Sequence, residues 1–259
     1  MAAKQTPIPI STPPFSPTPI PSSAPTQIAN TATTAPSPTP SPIPTETPIG
    51  TCDQRLPGND LLAIVTLDYD ISRDFKPDDL VLLTDVLPMS VTLGYPTKIR
   101  GIVLEPLLAL IEDMQGAGLS PRIISGYRSY AAQSIAWNKW NKLYPEHASI
   151  ISAPPGHSEH QLGTAIDFGS PELADIVGQE DIEFHTLFYK TSEGQWLVQN
   201  AHKYGFTLSY PMEAFELTGF YYEPWHYRFV GVEMAAKLYQ EGLSLTEHQL
   251  SNNNQPCIP

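Results

Sequence analysis

The sequence predicts an α+β domain: a small antiparallel sheet with helices packed around it, over residues 51–259, behind a non-globular segment at 1–50. Three observations lead there. Composition changes sharply near residue 50. Beyond that point, helix-spaced apolar runs and short β-like runs follow one another without a βαβ rhythm. The polar residues that local structure leaves unexplained gather late in the domain, around 158–167 and 223–228.

Residues 1–50 contain 14 of the chain's 28 prolines, with 6 serines and 10 threonines, and only Lys4 and Glu46 are charged. Such a segment cannot bury enough apolar surface to offset the entropy of ordering it. Its repeated Thr-Pro and Ser-Pro steps suit an extended polyproline spacer that holds a domain away from a surface. A plain disordered tail is the alternative. A stalk implies something to be anchored to, so a signal or anchor segment is expected upstream in the native protein.

Lys4 and Glu46 cancel, so the whole net charge of −13 belongs to the domain. That argues against nucleic-acid binding, which needs cations to displace phosphate counterions. No apolar stretch is long enough to span a bilayer. Cys52 and Cys257 bracket the domain. Neither has a second Cys or a His at metal-ligand spacing. A disulfide between them would close a loop of about 200 residues, worth about 5 kcal/mol in the chain-entropy model. It would also place the protein in an oxidising, extracytoplasmic setting. Two free thiols are the alternative.

Along the domain, Val103, Leu107, Leu110 and Met114 recur at helical spacing and predict a helix over 100–117. Arg122–Ser125 reads as a short strand. A helix capped by Ser129 runs to about Tyr144. Thr164–Phe168 reads as a strand, with Ala165 and Asp167 on one face and Ile166 on the other. A helix follows over about 192–204, with Ser192 as a cap and Gly205 as its stop. Trp225–Val230 reads as a strand whose aromatic face (Trp225, Tyr227, Phe229) lies opposite His226 and Arg228. A last helix covers about 231–241.

His160 and Asp167 are separated by a stretch containing Gly163, which permits a turn able to bring both side chains to one point. An imidazole and a carboxylate are good zinc ligands, and His226 is the obvious third. Glu223 precedes His226 by three residues with Pro224 between them, a carboxylate placed to move a proton beside a metal. The helical motif H-E-x-x-H is absent. Taken singly, each residue also has a plain structural reading: a hydrogen-bonded histidine, a strand-end aspartate, a Glu223–Arg228 ion pair. His147, His157, His185, His202 and His248 are read as structural or surface residues.

Three ordered elements resemble a known family. Ser158-Glu-His160-Gln-Leu-Gly163-Thr-Ala165-Ile-Asp167 fits S-x-H-x-x-G-x-A-x-D, Glu223-Pro-Trp-His226 fits E-x-W-H, and Ser125-Gly-Tyr-Arg128-Ser-Tyr130 with Gln133 fits S-G-Y-R-S. Together they resemble the VanY-type D-alanyl-D-alanine carboxypeptidases, a group that includes peptidoglycan L,D-carboxypeptidases. Wider relatives share the lysostaphin, D-Ala-D-Ala peptidase and hedgehog-type zinc fold. The resemblance covers about 60–250. It implies Zn2+ held by His160, Asp167 and His226, with Glu223 as general base and then general acid. It further implies Arg128 as oxyanion or carboxylate partner, Ser158 and Gln133 as contacts to the terminal residue, and Tyr127 and Trp225 as pocket walls. The implied activity is removal of a terminal D-alanine from peptidoglycan stem peptides by a monomeric, extracytoplasmic enzyme. An endopeptidase of the same fold, or a non-catalytic wall-binding module, are the other readings.

Overall fold

A computed structural model describes residues 61–146, 148 and 152–252. The 1–50 segment, Cys52, Cys257 and His147 lie outside the described residues, and with them the disulfide expectation.

Among the described residues, two antiparallel sheets organise the domain. The smaller pairs β1 (Leu80–Leu82) with β2 (Lys98–Arg100). The larger contains β3 (Arg122–Ser125), β4 (Ala165–Gly169), β5 (Phe206–Leu208) and β6 (His226–Phe229), in the order β3-β4-β6-β5. The β4–β6 ladder sets Ala165 against Arg228, Ile166 against Tyr227 and Asp167 against His226. The period of two therefore divides the sheet by chemistry. Ile166, Phe168, Tyr227 and Phe229 join the main apolar core with Ile123 and Phe206. Ala165, Asp167, His226 and Arg228 share the opposite face, and all four are also buried. β4 and β6 are thus covered on both faces and lie at the centre of the larger sheet.

The helix Gly101–Gly116 packs on that core through Val103, Leu107, Leu110, Ile111 and Met114. The helix Tyr130–Leu143 begins where Ser129 Oγ accepts from Ala132 N at 3.2 Å. The helix Ser192–Asn200 is capped by Thr191, not Ser192 as expected: Thr191 Oγ1 accepts from Gly194 N at 3.0 Å. It passes into a 3-10 turn, Ala201–Tyr204, that stops at Gly205.

The helix Val232–Glu241 is not the last element. A further helix, Leu245–Ser251, starts in a capping box in which Ser244 and Glu247 each bond the other's backbone N–H. Strands β1, β2 and β5 were also not anticipated; at three residues each, they are too short to show a period. Among the described residues no helix is long and apolar enough to cross a membrane.

Two glycines fix the site's backbone. Gly163 ends the 3-10 turn Glu159–Leu162 with φ at 73°, turning the chain from His160 into β4. A Cβ there would lie 2.9 Å from Arg100 Cγ. Gly126 lies so close to β2 that a Cβ would meet Lys98 O at 2.5 Å. Gly163→Ala should therefore cost at least the roughly 1–2 kcal/mol of a left-handed L-residue. The test is a lowered midpoint in urea unfolding; an unchanged midpoint would show that this turn does not constrain the fold.

Candidate metal centre

His160, Asp167 and His226, all buried, each offer a ligand atom, and these atoms lie within 4.8 Å of one another. Three different local devices place them. The β4–β6 register puts Asp167 beside His226. The 3-10 turn and Gly163 return His160 to the same point. The Ser125–Arg128 segment is tied to His160 from both sides: Arg128 N donates to His160 O at 3.0 Å, and His160 Nδ1 donates to Gly126 O at 2.7 Å. That second bond fixes the tautomer and leaves the lone pair of His160 Nε2 free for a metal, 3.1 Å from Asp167 Oδ2.

His226 is presented the other way round. Its Nδ1 lies 2.9 Å from Asp167 Oδ1, and its Nε2 lies 3.0 Å from Glu159 Oε2. The two rings meet edge-on, 4.9 Å between centroids. Glu223 Oε2 is 3.8 Å from His226 Nδ1. A backbone bond from His226 N to Glu223 O at 3.0 Å closes a turn at Pro224 and brings the carboxylate round to the ligand side.

Burial and charge set the protonation states. Burial opposes the charge on Asp167, but His160 and His226 overcome it and hold the carboxyl well below its ordinary range. Burial keeps His160 below its ordinary value and so neutral, against the pull of Asp167. Burial would do the same to His226, but hydrogen bonds and charge from Asp167 and Glu159 raise it to about 10. Desolvation pushes Glu223 up to about 7, opposed by His226 and assisted by Asp167.

Arg128 stands beside this cluster. Its Nη1 donates to Gln133 Oε1 at 2.9 Å and its Nη2 to Ser125 Oγ at 2.9 Å. Its charge bears on both His160 and Glu223. Gln133 sits differently from the expected contact to a terminal residue. It is 1% exposed, and its amide nitrogen is engaged by Ser152 Oγ at 3.0 Å and Ala153 O at 2.6 Å, so it lies behind Arg128 and orients it. Ser158 is buried at the start of the 3-10 turn that carries His160. Tyr127 is half-buried, with its phenol raised by desolvation. Trp225 packs against Phe184 with centroids 5.5 Å apart.

The described histidines read as structural have other partners. His157 bonds Thr66 O, His185 caps Leu187, His202 stacks on Tyr239 and His248 bonds Glu241. The expected alternative of a Glu223–Arg228 pair is not formed; Arg228 Nη1 donates instead to Glu159 Oε1 at 2.9 Å. Glu159 and Tyr210 were missed in the sequence. Tyr210 is buried, with its ring 4.8 Å from that of His226.

The model of the VanY family, D-alanyl-D-alanine carboxypeptidase, matches residues 96–232, which include every ligand candidate, Arg128 and Glu223. The chain belongs to this family. It is 36% identical over 204 residues to a D-alanyl-D-alanine carboxypeptidase of Enterococcus faecium, covering 76% of this chain and 59% of that protein. It spans 51–66% of the length of three curated relatives it matches. Among solved structures it resembles the LD-carboxypeptidase LdcB, with TM-score 0.64, 29% identity and 81% and 94% of the two chains covered. It also resembles a vancomycin-resistance D,D-pentapeptidase VanY in complex with Zn(II), with TM-score 0.56, 28% identity and 72% and 97% covered.

The donor set fits zinc. Two imidazole nitrogens, each ring backed by a hydrogen bond at its other nitrogen, and one carboxylate form a three-ligand site that leaves further positions open. In the metal-free protein the proton on His226 Nδ1 competes with metal below the raised pKa of about 10. Apparent zinc affinity should therefore rise with pH through the neutral range, by up to about tenfold per unit for one competing proton. Calorimetry near neutral pH, in buffers of differing ionisation heat, should read about one proton released per zinc. Zero release would contradict the charge state assigned to His226.

Proposed function

We propose that this protein is a zinc-dependent carboxypeptidase that removes the terminal D-alanine from peptidoglycan stem peptides. The observation that carries the reading is the convergence of three buried ligand atoms within 4.8 Å, with the Glu223 carboxylate 3.8 Å from one of them. Family membership supplies the reaction class. The enterococcal carboxypeptidase and LdcB between them bracket D,D and L,D bonds.

His160 Nε2, Asp167 and His226 Nδ1 would hold the ion, which when bound supplies Lewis acidity that acidifies water and polarises a carbonyl. Glu223 takes the proton of the attacking water. Its raised pKa, near neutrality, suits it to accept that proton and then give it to the leaving amine. Arg128, fixed by Ser125 and Gln133, offers a cationic fork to the negative charge developing on the carbonyl oxygen or to the substrate's terminal carboxylate. Ser158, Tyr127 and Trp225 would line the approach to the ion.

Action on cell-wall peptide places the enzyme outside the cytoplasm. The proline-rich 1–50 segment is then a spacer that lets a catalytic domain, residues 51–259, reach its substrate from an anchoring point. The enzyme acts as a monomer, since one chain supplies all the residues named.

Glu223→Gln should retain zinc and lose about 10²–10⁴-fold in kcat; near-normal turnover would remove Glu223 from its role. His160→Ala should lose its zinc in metal analysis. The substrate test is mass spectrometry of defined stem peptides after incubation with the zinc-loaded protein. Loss of alanine from pentapeptide alone indicates a D,D bond, loss from tetrapeptide indicates an L,D bond, and internal cleavage of either would replace the carboxypeptidase reading with an endopeptidase.

A further inference from the structure

Glu159 lies between Ser158 and His160 and takes no part in the mechanism above. It is 3% exposed, yet both its oxygens are engaged. Oε2 accepts from Ser209 Oγ at 2.6 Å and faces His226 Nε2 at 3.0 Å; Oε1 accepts from Arg228 Nη1 at 2.9 Å. Arg228 is itself fully buried, and its Nη2 donates to Leu61 O at 3.0 Å. A carboxylate sealed from water costs several kcal/mol unless paired and hydrogen-bonded. Here the pairing is complete, and the side it turns to the site is the one that receives the His226 proton.

We propose that Glu159 is a positioning residue that holds His226 in its Nε2–H form, so that Nδ1 points to the metal. The inference rests on the zinc-site reading above. His160 and His226 need opposite tautomers, one ligating through Nε2 and the other through Nδ1. Gly126 O sets the first and Glu159 sets the second. Both settings come from one short segment, because Glu159 and His160 are neighbours on the same 3-10 turn. Arg228, 2.9 Å from Glu159 Oε1, supplies the opposite charge that a buried carboxylate needs. An anionic acceptor behind an imidazole increases its basicity toward metal as well as fixing its ring.

A residue that merely neutralises Arg228 would affect folding without affecting the metal. The experiment compares zinc affinity, by chelator competition, in the wild type, Glu159→Gln and Ser209→Ala. Glu159→Gln should weaken zinc about 10–100-fold, while Ser209→Ala, which removes one hydrogen bond but no charge, should stay within about threefold. Should Glu159→Gln not fold, long-range proton–nitrogen NMR of the zinc-loaded wild type decides. The expected spectrum has the His226 proton on Nε2 and the His160 proton on Nδ1. Zinc binding by Glu159→Gln equal to the wild type overturns the inference alone; a His226 proton on Nδ1 overturns it together with the ligand atom assigned to His226. Absence of zinc binding in the wild type overturns the metal centre, and this inference with it.

Discussion

Asp167 stands directly across the β4–β6 ladder from His226, in a pair of strands buried on both faces. That register is what the site depends on. A slip of one residue would send Asp167 and His226 into the apolar core and bring Ile166 and Tyr227 to the polar face. The apolar packing of Ile166, Phe168, Tyr227 and Phe229 thus does two things at once: it stabilises the sheet, and it fixes which side chains oppose each other on the far side. His160 is then brought in by the turn at Gly163, and Glu223 by the turn at Pro224.

Charge arrangement follows from this crowding. Asp167, Glu159, Arg228, His226 and His160 are all buried, an arrangement that persists only because each is paired. In the metal-free protein His226 is the cation shared by two carboxylates. A metal ion would take over the charge on the Asp167 side, while the Glu159 side keeps its proton. The site is therefore preorganised, with its tautomers set by groups that do not ligate.

The candidate ligands were legible in the sequence because their spacing matches a family motif; taken singly, each had a plain structural reading. The helix Gly101–Gly116 was legible for a different reason: sixteen residues give the apolar period several repeats. Strands of three residues give none, so β1, β2 and β5 emerge only from tertiary pairing. The helix Leu245–Ser251 carried a usable signal in its Ser-x-x-Glu capping box that was passed over. Glu159 was hidden because its partners, Ser209, His226 and Arg228, lie 50 to 69 residues away. The one hint was Arg228, a cation in an otherwise aromatic strand that demanded a buried partner. Gln133 was legible as part of a motif, but its bonds to Arg128, Ser152 and Ala153 emerge only from the fold.

The most direct test of the account is a crystal structure of the zinc-loaded protein with the ion located by its anomalous signal. The account predicts one ion bound by His160 Nε2, the Asp167 carboxylate and His226 Nδ1, with Glu223 beside it and not among its ligands. An ion bound through His226 Nε2, or at residues other than these three, would contradict it.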